Sequence, residues 1–101
     1  MTYTVTRYED GELEWELAGF ETLKNALWRA DFTLEIGGRV KVTVTDENGK
    51  LIAESRKNKW WNDLVLVESG KTVRYNQNSW GRSLLIQNDD GYWDEYEEET
   101  V

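Results

Sequence analysis

The fold is decided by one stretch of the sequence, Glu12–Asp31, which reads ELEWELAGFETLKNALWRAD. Up to Leu17, acidic and apolar residues alternate strictly, which is typical of a strand with one buried face. From Phe20 onward, apolar residues recur every three or four positions, which indicates one face of an amphipathic helix. The chain is therefore expected to combine a strand and a helix.

The helix is predicted over about Glu21 to Asp31, with Thr22 as its N-cap. The residues after it are ambiguous, because apolar residues alternate over 32–36 ahead of Gly37-Gly38, a hairpin turn signal. A strand over 32–36 is favoured. The alternative is a helix that continues to a glycine cap.

The rest of the sequence is typical of short strands joined by tight turns. Candidate strands span 3–8, 12–17, 39–45, 51–55, 64–68, 72–77, 83–87 and 92–96, and residues 56–59 are interpreted as a basic loop. Sequential hairpins predict an α+β fold, an antiparallel, hairpin-built β-sheet with a single amphipathic helix packed on one face. A single domain over 1–101 is expected, with a frayed acidic tail at 97–101.

The net charge of −8 is unevenly distributed. Residues 1–21 carry six acids against one base (−5), residues 22–88 carry seven acids and eleven bases (+4), and residues 89–101 carry seven acids and no base (−7). The end segments contain the candidate partner-binding residues: Glu12, Glu14, Glu16, Asp89, Asp90, Trp93, Asp94, Glu95, Tyr96, Glu97, Glu98 and Glu99.

Two functions are compatible with these acidic ends. One is a surface that captures a basic protein by electrostatic steering, with the glutamates of 12–16 projecting in a row and Trp93 and Tyr96 as anchors. The other is a solvating surface with an acidic tail.

The sequence contains no His and no Cys. A thiol nucleophile, a disulfide and a thiolate metal site are thereby excluded, and the commonest general base and metal ligand are missing. Gly37-Gly38 does not match a phosphate-binding glycine loop. The sequence therefore predicts a non-enzymatic protein without catalytic, cofactor-binding or metal-binding residues.

Other classes of partner receive less support. Trp60 and Trp61, after the basic residues 56–59, suggest an alternative, an aromatic-based carbohydrate or small-ligand binding module. Direct nucleic-acid binding is disfavoured because the net charge repels phosphates. The sequence has neither a signal-peptide pattern nor the roughly 20 apolar residues that span a membrane, so a cytoplasmic location is expected.

The acidic strand Glu12–Leu17 and the acidic tail Asp89–Glu99, on a chain of 101 residues without His, Cys or Pro, give a recognisable profile of size and charge. This profile resembles small phage and mobile-element proteins that inhibit bacterial defence systems, of the anti-CRISPR or anti-restriction type. The resemblance implies a stoichiometric inhibitor that occludes a basic, nucleic-acid-binding surface of a larger effector.

Overall fold

The computed structural model describes residues 1–34, 39–58, 61–76 and 83–97, with Trp61 described by its backbone alone. Within these residues the chain forms one helix and eight strands. Their bounds are β1 Tyr3–Glu9, β2 Glu12–Phe20, α1 Leu23–Phe32, β3 Val40–Asp46, β4 Leu51–Asn58, β5 Trp61–Leu66, β6 Thr72–Tyr75, β7 Leu84–Gln87 and β8 Trp93–Glu95.

All strand pairs are antiparallel, and the sheet order is β2-β1-β3-β4-β5-β6-β7-β8. The chain passes through α1 between β2 and β3, and β3 then pairs with β1 rather than with β2. Every later strand is added next to its predecessor. The predicted α+β fold, one helix against a hairpin-built antiparallel sheet, is confirmed.

Helix α1 is stabilised at both ends by hydrogen bonds of threonines. The Asn25 N–H donates to Thr22 Oγ1 at 3.2 Å, so the predicted N-cap is confirmed. At the other end, the Thr33 hydroxyl donates to the Ala30 carbonyl at 2.9 Å. The strand favoured over 32–36 is wrong in its described part. Phe32 is still helical, because its ring stacks on Trp28, one turn earlier, with centroids 5.1 Å apart, and Thr33 and Leu34 are not in a strand. Residues 35–38 of that prediction lie outside the described residues.

The predicted basic loop is also corrected. Arg56, Lys57 and Asn58 extend β4, where they pair with Asp63, Asn62 and Trp61 of β5. Ladder hydrogen bonds to an adjacent strand stabilise this polar segment, although its sequence has no apolar alternation to indicate a strand.

The core forms between α1 and one face of the sheet. Each central strand contributes alternate residues, and the fully buried ones are Val5, Val42, Val44, Ala53, Leu64, Val73 and Leu84, which meet Ala26, Leu27 and Ala30 of the helix. The helix has ten residues and is about 15 Å long, whereas eight strands span about 34 Å. The helix therefore covers only part of this face.

Candidate binding surfaces

The structure places the two acidic segments at opposite edges of the sheet. Strand β2 is one edge and β8 the other, with six strands between them. The candidate residues of 12–16 lie in β2, those of 93–95 in β8, and Asp89 and Asp90 in the turn that precedes β8. Tyr96 and Glu97 follow β8, and Glu98 and Glu99 lie outside the described residues. The two segments therefore do not form one continuous acidic surface.

The predicted row of glutamates in β2 is interrupted by a β-bulge. Trp15 lies opposite Arg7, but Leu13 lies opposite Tyr8, so Glu14 is an extra residue in the strand. A bulge shifts the alternation of faces by one residue. Leu13 therefore lies on the face away from the helix, not beside Trp15 as the strict alternation predicted.

The three glutamates consequently have three different surroundings. Glu16 lies opposite Thr6 on the face away from the helix, whereas Glu12 lies opposite Glu9 on the helix face. Glu14 forms an ion pair with the half-buried Arg7, with Oε2 3.0 Å from Nε. Glu12 and Glu16 thus remain exposed on opposite faces of β2, whereas Glu14 is paired with Arg7 of the same molecule.

Two leucines are exposed beside these acids. Leu13 is 61% exposed and Leu17 is 39% exposed, on opposite faces of β2. Each face of this edge strand therefore presents one leucine and one glutamate. Within the described residues β2 pairs only with β1, so its outer backbone groups are available to another strand.

The aromatic residues expected to anchor a partner at β8 are engaged inside the molecule. The Arg74 guanidinium lies over the Trp93 ring, 4.9 Å from its centroid, and Tyr96 packs against the hydrophobic core. Asp94 accepts a hydrogen bond from the Asn88 side chain at 3.1 Å. The exposed aromatic residue next to this edge is Tyr92, which precedes β8 and is 73% exposed, and not the predicted anchors Trp93 and Tyr96.

The location of both acidic segments also has a structural consequence. An open sheet edge presents unpaired backbone groups that can pair with another copy, and like charges on the edge oppose that pairing. The two edge strands, β2 and β8, come from the two acidic end segments of the sequence. The uneven charge along the sequence thus corresponds to two acidic edge strands, whereas Lys41, Arg56, Lys57 and Arg74 lie in strands between them.

A buried acid on the helix was not singled out from the sequence. Asp31 is 8% exposed, and its Oδ2 accepts the Tyr75 N–H at 2.9 Å. Burial raises the pKa of Asp31 from 3.8 to about 6, and the hydrogen bond from Tyr75 only partly offsets this. The signal was present, because Asp31 follows Leu23 and Leu27 at four-residue spacing on the apolar stripe.

An apolar groove lies where the helix leaves the sheet uncovered. Its volume is about 480 Å³, and its lining consists of Leu23, Lys50, Leu51, Ile52, Leu66, Val67, Glu68 and Ser69. Pockets that bind small molecules commonly have volumes of about 300–1,000 Å³ and mostly apolar walls. The groove is therefore a second candidate surface.

Within the described ranges, no group of three or more acidic side chains is arranged to hold a metal ion, and no helix is long and apolar enough to cross a membrane. No protein-family model matches the chain, and neither the curated proteins nor the solved structures yield a match.

Proposed function

We propose that this chain is a non-enzymatic, cytoplasmic binding protein that captures a basic partner along the β2 edge. The partner class is the one expected from the charge profile, a larger effector whose basic, nucleic-acid-binding surface is occluded. The observation that supports β2 over β8 is the exposure of two leucines, Leu13 and Leu17, within the edge strand itself, beside the exposed Glu12 and Glu16.

The arrangement of β2 favours a particular mode of recognition. An extended segment that adds to a sheet edge gains backbone hydrogen bonds, and its side chains contact both faces of the edge strand. Here each face would supply one glutamate for a Lys or Arg and one leucine for an apolar contact. The absence of His and Cys from the sequence is consistent with a role in binding rather than catalysis.

A defined peptide tests this proposal without knowledge of the target. We expect a peptide that repeats Lys-Lys-Thr-Thr, which presents lysines on both faces when it is extended, to bind and to shift the backbone NMR signals of β2. The double variant Glu12→Gln/Glu16→Gln should bind about fivefold more weakly, because each exposed ion pair contributes about 0.5 kcal/mol. Added salt should weaken the wild type in the same direction.

The opposite edge provides a matched control. Asp94→Asn/Glu95→Gln removes the same two charges from β8 and should leave the affinity nearly unchanged. Equal losses in both variants, or shifts centred on β8, would show that the peptide responds only to the net charge and would refute the β2 edge as the site.

The apolar groove supports a second candidate function, the binding of a small apolar ligand. Its aliphatic walls and its volume of about 480 Å³ favour this over an aromatic-based carbohydrate module. Trp60 of the carbohydrate hypothesis lies outside the described residues. Val67→Lys, at a groove residue that is 39% exposed, should abolish the binding of an apolar fluorescent probe while the protein stays folded. Unchanged probe binding in that variant would exclude the groove.

A further inference from the structure

Strands β3 and β4 are paired over only part of their length. The ladder joins Thr43–Thr45 to Leu51–Glu54. Beyond it, β3 remains paired with β1 as far as Val40, and β4 remains paired with β5 as far as Asn58. The two halves of the sheet therefore separate at this end and leave a notch between β3 and β4.

Ser55 lies at the point where the notch begins. Its hydroxyl oxygen accepts the Val42 N–H at 2.9 Å and thus replaces the backbone acceptor that a continuous ladder would provide. Val42 is fully buried, so without this bond its N–H would be left unsatisfied. Because the oxygen is already an acceptor, the hydroxyl proton is left to donate to a ligand in the notch.

The notch is a concave surface of about 250 Å³ lined by hydrogen-bond donors. Among the residues that the structure describes, its lining consists of Arg39, Val40, Lys41, Ser55, Lys57 and Asn62, three of them cations and none a carboxylate. By register, Lys41 comes from the face away from the helix and Lys57 from the helix face, so cations flank the notch on both sides. At the exposed rim, Asp10 Oδ1 lies 3.9 Å from Arg39 Nε.

We infer that this notch binds the phosphate group of a small phosphorylated ligand. Guanidinium, ammonium and hydroxyl donors together match an oxyanion, and three positive charges favour a doubly charged phosphate over a carboxylate. The volume is below that of most whole-ligand pockets, so it suits one anionic group whose remainder projects outwards. A small ligand is favoured over a nucleic acid, because the net charge of −8 repels a polyanion at long range.

This site is separate from the proposed β2 edge, since it has the opposite charge and uses residues of β3, β4 and β5. Its test uses inorganic phosphate and pyrophosphate, titrated into the full chain at pH 7.5 and low ionic strength and followed by NMR. We expect the backbone signals of Val40–Val42 and Ser55–Lys57 to shift on addition of phosphate or pyrophosphate. Chloride at equal ionic strength should produce no such shift, and acetate should bind at least fivefold more weakly than phosphate.

Two double lysine variants distinguish binding at the notch from general attraction to positive charge. Lys41→Gln/Lys57→Gln should weaken phosphate binding at least tenfold. Lys50→Gln/Lys71→Gln, which removes equal charge at the other end of the sheet, should change it less than twofold. Asp10→Asn should strengthen binding about twofold to threefold, because it removes a competing carboxylate at the rim.

The test uses surface variants and not Ser55→Ala, because Ser55→Ala removes a buried hydrogen bond and can unfold the chain. Equal weakening by both lysine pairs, or no localised shift with phosphate and pyrophosphate, would overturn the assignment. A single-stranded oligonucleotide that binds more than tenfold tighter than pyrophosphate through Lys41 and Lys57 would overturn the preference for a small ligand.

Discussion

Replacing Asp31 with Asn should make the protein more stable at neutral pH. Asp31 is a buried residue of the last turn of α1, and its carboxylate accepts the backbone N–H of Tyr75. Burial raises its pKa from 3.8 to about 6, while the hydrogen bond from Tyr75 and the charge of Arg74 oppose the increase and the charge of Asp63 adds to it. The folded protein therefore disfavours the ionised form. Asparagine is neutral at every pH and retains an oxygen that can accept from Tyr75.

The magnitude follows from the linkage between proton binding and folding. Because the pKa is raised in the folded state, this residue's contribution to stability is fully present below pH 3.8 and is lost as the pH rises through about 6. At about 1.4 kcal/mol per pH unit, the free energy of unfolding falls by about 3 kcal/mol over this interval. The amide NH₂ introduced by Asn needs a partner and offsets about 1 kcal/mol. We expect Asp31→Asn to stabilise the protein by about 2 kcal/mol at pH 7.5.

Urea unfolding measured from pH 4 to pH 8 tests both the sign and the pH dependence. The difference between Asp31→Asn and wild type should be small near pH 4, grow to pH 7 and stay constant above it. Asp89→Asn, at an exposed acid in the β7–β8 turn, is the control for the loss of one negative charge and should not reproduce the stabilisation at pH 7.5. A less stable Asp31→Asn protein at pH 7.5, or a difference that does not vary with pH, would refute the reasoning.

Three further predictions concern the helix cap, a charge network and the sheet edge. Thr22→Ala should lower the free energy of unfolding by about 1 kcal/mol in urea titrations, because the Asn25 N–H loses its acceptor. Arg74→Ala should lower the free energy of unfolding by about 2 kcal/mol, because Arg74 donates a hydrogen bond of 2.9 Å to the buried Asp63. Its control is Arg56→Ala, which removes a more exposed ion pair and should change the free energy of unfolding by less than about 0.5 kcal/mol. Glu12→Val/Glu16→Val should produce dimers or larger species in light scattering, because the acidic residues that oppose edge pairing at β2 are removed; a protein that stays monomeric would argue against this role.

Much of the local structure was predictable from the sequence. The change of period after Leu17 indicated a strand followed by a helix, Thr22 was identified as the cap, and the glycine-containing turns separated the later strands. These features depend on residues a few positions apart, through side-chain period, capping and turn conformation. The acidic character of both chain ends was equally evident.

The candidate surfaces could be located only in part. The glutamates of β2 were singled out, but the bulge at Glu14 depends on the register with β1 and gives no signal in an alternating sequence. Likewise, the cations Arg39, Lys41 and Lys57 are spread over 19 positions of sequence and line one notch only because β3 and β4 separate beyond Glu54.

By itself the sequence determined the antiparallel α+β class, the position of the helix and the acidic ends. The tertiary structure decided that those ends lie at opposite edges, because β3 pairs with β1 and leaves β2 outside, and each later strand adds on the far side. It also decided the burial of Asp31, whose hydrogen-bond partner Tyr75 is 44 positions away. The physical reason is common to both, since strand order and burial depend on contacts between distant segments, which the local periodicity of a sequence does not encode.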